Sequence, residues 1–590
     1  MVSVDELKHY VDPRNVEEYI FEMGLHPLFS AMIESLNIPH YIDEKCGPPD
    51  PRELLSTGEL AKAFIINVLD QRTPVYKLAD SLKYADCGVL FRPGIVSEDF
   101  TQDRLGKALD AIADIDQQKL FSEISLQAMK IHGVPVNTVH IDTTNFSVYG
   151  DYNTKPHDGF NATECGAPKS KRKDLKAVGL GAAVQEHRIP FFIQALSGND
   201  SDAVWFRSAL AKMASLFDGN LYSRPILVFD AAASNTEMFE NASSSKTPSI
   251  IRLSRVFNAT GESIRRAWEE NRWQEVGQLA NSDKGSYYSI CTFDFDVVSG
   301  WRLTVVHSTT LQKTKEKSMQ KSLPKKRERI EKQAAKLNKK EFETMAKAEA
   351  AALEFAEKHI TLEKPFTYEV NIISETTEKY ARRGRPTADT PKIKNTTYKV
   401  EFILGDLDQD LYEQWLKEES CFVLVDNVPK DRCSSKEILI NFKKQWKVEN
   451  MFHFIKQPLD LGPLWLEKPS RIKSLLFLVS LAVLVGSFLI HRLHVTLSGK
   501  PQGKDDPKAT PRKLRDVTGR RVERPTFNMV RELLFKLKII CYNEDGRWVR
   551  KFLRQTDRSL INLIVDIGFS PGIYLEQYNT TFDLWNYKST

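Results

Sequence analysis

Paired cysteines are missing from this sequence. Its seven cysteines, at 46, 87, 165, 291, 421, 433 and 541, are scattered, odd in number and never spaced as C-x-x-C. That usage argues against a zinc cage or a disulfide framework and fits reduced thiols in a cytosol. A strong excess of either charge is missing too. With 83 basic and 78 acidic residues the net charge is only +5, so any basic surface must come from local clustering. The first residues, MVSVDELKHYVDPR, are charged early and hold no apolar core, unlike a signal peptide. No internal repeat is visible. Long hydrophobic runs are limited to one, SLLFLVSLAVLVGSFLI from Ser474 to Ile490, uncharged between Lys473 and His491. It reaches the short limit of a membrane span, but a helix buried on all sides reads the same way. The charged residues just before it, Lys468, Arg471 and Lys473, favour a buried helix of a soluble, cytoplasmic protein with no membrane partner.

At 590 residues the chain exceeds the size at which one core stops growing, so several domains are expected. Residues 1–132 read as a helical region suited to DNA binding or dimerisation. Near 135 the texture changes to short strands, VNTVHIDTTNFSVYG, KAVGLGAAVQ, RIPFFIQALSG and RPILVFDAA, with SDAVWFRSALAKMASLF as a helix before the last. This predicts an α/β first core part over 133–256. Residues 257–420 carry a second texture, with a hairpin turning at Ser299-Gly300 and a charged helix from Leu311 to about Lys358. The mixed signs of that helix fit a solvated or coiled surface better than a DNA clamp. A second core part spans 421–497, opening on the strand CFVLV. A polar linker covers 498–524, and a helical module covers 525–590.

Two acids stand where strand propensity disfavours them. Asp142 interrupts the β-branched and aromatic run of HIDTTNFSVYG, and Asp230 ends the apolar run PILVF, followed by the small residues Ala231 to Ala233. Each alone fits a solvated strand face or a turn cap. Together, on neighbouring strands, they suit a hard divalent cation, which prefers one or two carboxylates plus substrate phosphate. A third element, SSKEILINFKKQWKVENMFHFIKQP, opens with the capping box Ser434-x-x-Glu437 and reads as a helix up to Pro458. Phe442, Gln445, Glu449 and Lys456 would share one of its faces. That stripe is either plain surface or a carboxylate flanked by phosphate contacts. Asp200 and Asp202 read as capping acids, and His140 as a packed strand residue.

That helix resembles the Tyr-x2-Arg-x3-Glu-x6-Lys signature of cut-and-paste insertion-sequence transposases with a DDE, RNase H-like catalytic domain. Glu449 and Lys456 fit the signature, whereas Phe442 stands for Tyr and Gln445 for Arg. HIDTTNFSVYG, GAPKSKRKDLKAV, ALSGNDSD, ILVFDAAASN and PSRIKSLLFLVSLAVLV are similar to the same group, in the same order. The N-terminal stretch from GLHPLF to VYKL resembles its helical N-terminal region. The resemblance implies an RNase H-like core interrupted by a β-rich insertion, which would explain the 219 positions between Asp230 and Glu449. It implies Asp142, Asp230 and Glu449 as catalytic metal ligands, Mg²⁺ with Mn²⁺ as substitute, and cleavage and joining of DNA. The double-stranded partners would be terminal inverted repeats and target DNA, bound by a homodimer in a cytoplasmic, nucleoid-associated complex. Lys169, Lys171, Arg172, Lys173 and Lys176 form a basic cluster suited to phosphate, beside Gln445 and Lys456. Arg383-Gly384-Arg385-Pro386 resembles an AT-hook core or is a plain loop. A non-catalytic DNA-binding protein derived from such an enzyme is the alternative.

Overall fold

A computed structural model of the chain describes residues 18–48, 51–70, 73–148, 155–164, 174–217, 224–279, 285–380, 392–445, 448–449, 451–452, 466, 468–499, 511–544 and 547–585. They form a mixed α/β protein of two compact units. One comprises Met1–Ala233, Asn241–Ser249 and Asn441–Thr590, the other Ser234–Glu240 and Ile250–Ile440.

In the first unit, β1 (Thr138–Val148) and β2 (Lys176–Gln185) pair antiparallel from Val139↔Gln185 to Val148↔Lys176. Strand β3 (Pro190–Ser197) pairs with β2 on its other side, and β4 (Ile226–Phe229) runs parallel to β1. The helix α1 (Asp202–Leu216) connects β3 to β4. These elements lie where the alternation and length of the apolar runs predict them. Strand β2 is buried along nearly its whole length, which is why it reads as a continuous apolar and glycine run rather than an alternating one.

The apolar run at 474–490 lies in a helix, Pro469–Leu497, that meets the length and composition of a membrane span; 83% of its apolar window is buried inside the protein. It packs against the helices His26–Ser35, Thr57–Leu69, Gln102–Ala113, Gln117–Ile131 and Arg558–Ile567 and against β3. Its charged residues are matched individually. Arg471 donates to both Asp110 carboxylate oxygens at 2.8 and 2.7 Å, and fully buried Arg492 donates to both oxygens of buried Asp583 at 3.0 and 3.1 Å. The C-terminal region differs from the helical module its sequence predicts. Lys538–Glu544 and Arg547–Phe552 form a hairpin, and Glu18–Glu22 adds a third strand. That pairing joins the two ends of the chain, and no local pattern announces it. Within 498–524, Leu514–Arg515 and Arg521–Val522 pair around Gly519, whose φ is +84°.

In the second unit, β5 (Tyr287–Asp294) and β6 (Arg302–Ser308) form the expected hairpin, with Gly300 at φ +81° in its turn. The charged stretch that reads as one helix is two, α2 (Thr309–Leu337) and α3 (Met345–His359). Strands β7 (Phe366–Tyr380) and β8 (Lys392–Leu407) form a long hairpin, and the break between the helices is fixed by it. Asn338 donates to the Phe402 carbonyl at 3.2 Å and accepts from its N–H at 2.9 Å, and Glu341–Phe342 pairs with β8. Strand β9 (Cys421–Asp426) pairs antiparallel with β6.

Candidate active site

The parallel register of β1 and β4 aligns Thr138 with Ile226, Val139 with Leu227 and His140 with Val228. Asp142 and Asp230 stand two residues beyond the last aligned pair of each strand, so the register, continued by two residues, brings the two lone acids level. Neighbouring strands lie about 4.8 Å apart, which sets the backbone spacing of the two acids at that register. Asp142 lies within β1 and Asp230 one residue past the end of β4; both are half-buried. Opposite Asp142 on β2 is the small residue Ala182.

The helix α1 covers the other face. Thr143 Oγ1 donates to Asp202 at 2.7 Å, and Phe206 meets Phe229 edge-on with ring centroids 5.6 Å apart. Thr143 adjoins Asp142 within β1, so strand alternation turns Asp142 away from α1. Gly181, paired with Thr143, lies directly under the Trp205 ring. Backbone donors hold both acids: Thr143 N–H donates to Asp142 at 2.7 Å, and Ala232 N–H to Asp230 at 2.9 Å. Asp202, read from sequence as a cap, is the first residue of α1 and braces β1 behind Asp142. Its position at a helix start gave no hint of that partner. Asp200 accepts from the Ser197 N–H at 2.8 Å, a turn contact.

The third element departs from the continuous helix its sequence predicts. Ser434 and Glu437 do form the capping box, with Ser434 N–H donating to Glu437 at 2.8 Å and Glu437 N–H to Ser434 at 3.3 Å. The Ser434 N–H and the Ser434 hydroxyl, which also donates to the carboxylate at 2.8 Å, hold the Glu437 carboxyl below the usual carboxylate range. The helix α4 (Ser435–Lys443) then stops. The N–H groups of Lys444 and Gln445 turn to carbonyls three residues back, Asn441 and Phe442, which tightens the last turn and ends the 3.6-residue period. Helical backbone resumes at Val448–Glu449 and Met451–Phe452, where Val448, Met451 and Phe452 are buried and Glu449 is exposed. Phe442, Gln445 and Glu449 therefore do not share one unbroken helical face. Among the described residues, no group of three His, Cys, Asp or Glu side chains stands close enough to hold a metal ion. Two level carboxylates suit a hard cation as a partial ligand set that substrate oxygens and water complete.

Lys176 is half-buried at the start of β2, opposite Val148 and Glu164, and Gln445 is half-buried in the turn after α4. Lys169, Lys171, Arg172, Lys173 and Lys456 lie outside the described residues, as does Arg383 to Pro386. His140 is fully buried in β1.

A family profile described as a domain of unknown function (DUF4277) matches residues 20–126, part of the N-terminal region, and assigns it no activity. No curated protein matches the chain. Among solved structures the chain is similar to a piggyBac transposase synaptic complex with hairpin DNA, at 13% identity and a TM-score of 0.26. That match covers 50% of this chain and 59% of the other, under two thirds of its length. At that score it carries no argument about activity.

Proposed function

We propose that this chain is a DDE-type DNA transposase that cuts the ends of an insertion sequence and joins them to target DNA. The observation that supports the reading is the parallel pairing of β1 with β4, whose register, continued by two residues, brings Asp142 and Asp230 level. The motif resemblance supports it. Asp142 and Asp230 would hold Mg²⁺, or Mn²⁺ in its place, with Glu449 as the third ligand. The ion supplies positive charge at the scissile phosphate when bound. In cleavage, a water oxygen attacks phosphorus and the 3′-oxygen leaves with a proton; in joining, that 3′-hydroxyl loses its proton as its oxygen attacks a target phosphate, and the target's own 3′-oxygen leaves and takes up a proton. The Thr143 and Ala232 N–H groups fix the two aspartates, and the Thr143–Asp202 bond holds β1 against α1. Lys176, Gln445, Lys456 and the cluster Lys169, Lys171, Arg172 and Lys173 would contact phosphates, which supply affinity rather than chemistry. On this reading the core is RNase H-like, residues 257–420 are an insertion, and a homodimer pairs two ends in the cytoplasm.

The test is Mg²⁺-dependent cleavage of duplexes carrying the inverted repeats that flank the encoding locus. Asp142→Ala, Asp230→Ala and Glu449→Ala should each lower cleavage by ~10³-fold or more while end binding persists. Normal cleavage by Asp142→Ala or Asp230→Ala would refute the reading. Normal cleavage by Glu449→Ala alone would remove only the third ligand. A second reading, a non-catalytic DNA-binding derivative, is favoured by Phe442 and Gln445, which stand where the signature has Tyr and Arg. Binding of the ends without cleavage by the intact chain would establish it.

A further inference from the structure

The charge of this protein is concentrated in one helix. From Thr309 to Lys340, α2 and the turn after it carry twelve Lys or Arg against three Glu, a net +9. The whole chain is only +5, so the other 558 residues sum to −4. The signs of this segment are strongly unequal where a solvated or coiled helix would balance them.

The basic residues are also ordered. Lys321, Lys325, Arg329, Lys332 and Lys336 follow at intervals of four, four, three and four, one face of an α-helix, and all five are exposed. Met319, Ile330, Ala334 and Leu337 form the buried face, and the last two share a core cluster with residues of α3 and β8. On the exposed side Lys325, Glu328, Arg329, Lys332, Gln333 and Lys336 line a shallow groove of about 310 Å³. Lys332 pairs with Glu328 at 2.5 Å, an exposed i,i+4 contact that a stronger anion displaces.

We infer that this face of α2 is a docking surface for the phosphate backbone of double-stranded DNA. The inference rests on charge and spacing, and it stands whether or not the aspartate pair cuts DNA. From Lys321 to Lys336 the stripe runs about 22 Å at 1.5 Å per residue. A duplex carries one negative charge per roughly 1.7 Å of axis, on the order of a dozen over that length. A helix lying on an anionic membrane needs its apolar face free for the lipid, and here that face is buried in protein. A protein partner is expected to anchor on exposed aromatic or large apolar side chains, and the stripe contains none.

The test uses the full chain with Lys321, Lys325, Arg329 and Lys336 all changed to Gln, bound to a duplex of arbitrary sequence over a KCl series. If the four contact phosphates, the slope of log affinity against log salt becomes shallower by about 3 to 4. A control changes Lys347, Lys358, Lys379 and Lys394, all exposed in the same unit, to Gln and should leave the slope nearly intact. An unchanged slope in the α2 variant, or equal losses in both variants, overturns the inference. So does a variant that loses binding to phosphatidylserine vesicles while retaining duplex binding. Asp142→Ala should keep the parental slope, so failure of cleavage and failure of docking are read separately.

Discussion

Replacing Gly181 by alanine tests how α1 is seated behind the aspartate pair. A Cβ at this position would lie 2.2 Å from Cζ2, 2.3 Å from Cε2 and 2.9 Å from Cη2 of Trp205. Ordinary carbon contacts begin near 3.5 Å, so the ring must retreat by roughly 1.3 Å. It has little room to do so. Trp205 is 3% exposed, tilts against Phe206 at 5.4 Å between centroids, and donates from Nε1 to Gln194 at 3.2 Å. The strain therefore passes to α1 and, through Thr143 and Asp202, to β1. Overpacking of this kind costs about 1–3 kcal/mol. Native-state hydrogen exchange is the suitable assay, because it reads the two units separately. In Gly181→Ala the opening free energy of the Lys176–Gln185 amides should fall by about 1–3 kcal/mol, with the amides of Arg302–Ser308 unchanged. Adding Trp205→Leu should recover part of the loss, so that the double variant is less damaged than the two single effects summed. Unchanged protection in Gly181→Ala, or strict additivity in the double variant, would refute the argument that this glycine exists to admit the indole ring.

Breaking the buried Arg492–Asp583 pair by Arg492→Met should destabilise the first unit by about 3–5 kcal/mol, since Asp583 is left buried without its cation; a urea titration showing a loss below 1 kcal/mol would contradict this. Acid should weaken the same unit. Burial pushes His132 well below its usual range, aided by the Arg492 charge, and pushes His491 down to about 4, aided by His187. Both bind fewer protons folded than unfolded, so their stability contribution is complete above about 6.5 and is lost as pH falls from there towards 4. A thermal-unfolding midpoint that stays flat between pH 7 and 4.5 would exclude this linkage. Glu437→Ala removes one half of the capping box and should lower helix stability by about 1 kcal/mol or less while cleavage continues. Loss of cleavage in that variant with normal cleavage in Glu449→Ala would exchange their assigned roles.

The sequence by itself located what depends on neighbours along the chain. The strands over 138–148, 176–185, 190–197 and 226–229, the helix over 202–216, the hairpin at Gly300 and the Ser434–Glu437 box follow from periodicity, turn residues and capping chemistry. The two lone aspartates were visible because each sits against the propensity of the residues beside it. Tertiary structure decided the rest. That Asp142 and Asp230 lie level depends on a parallel register between segments far apart in sequence, fixed by packing under α1. The helix ends at Lys443 through backbone bonds to residues three back, although the side-chain period continues past it. Helices α2 and α3 separate because Asn338 bonds the backbone of β8, and the C-terminal strands exist because an N-terminal strand completes their sheet. In each case the deciding hydrogen bond or contact has a partner distant in sequence, or a geometry no side-chain pattern encodes. Local propensity is a sum over adjacent residues, whereas pairing energy is realised only when the folded chain brings remote ones together.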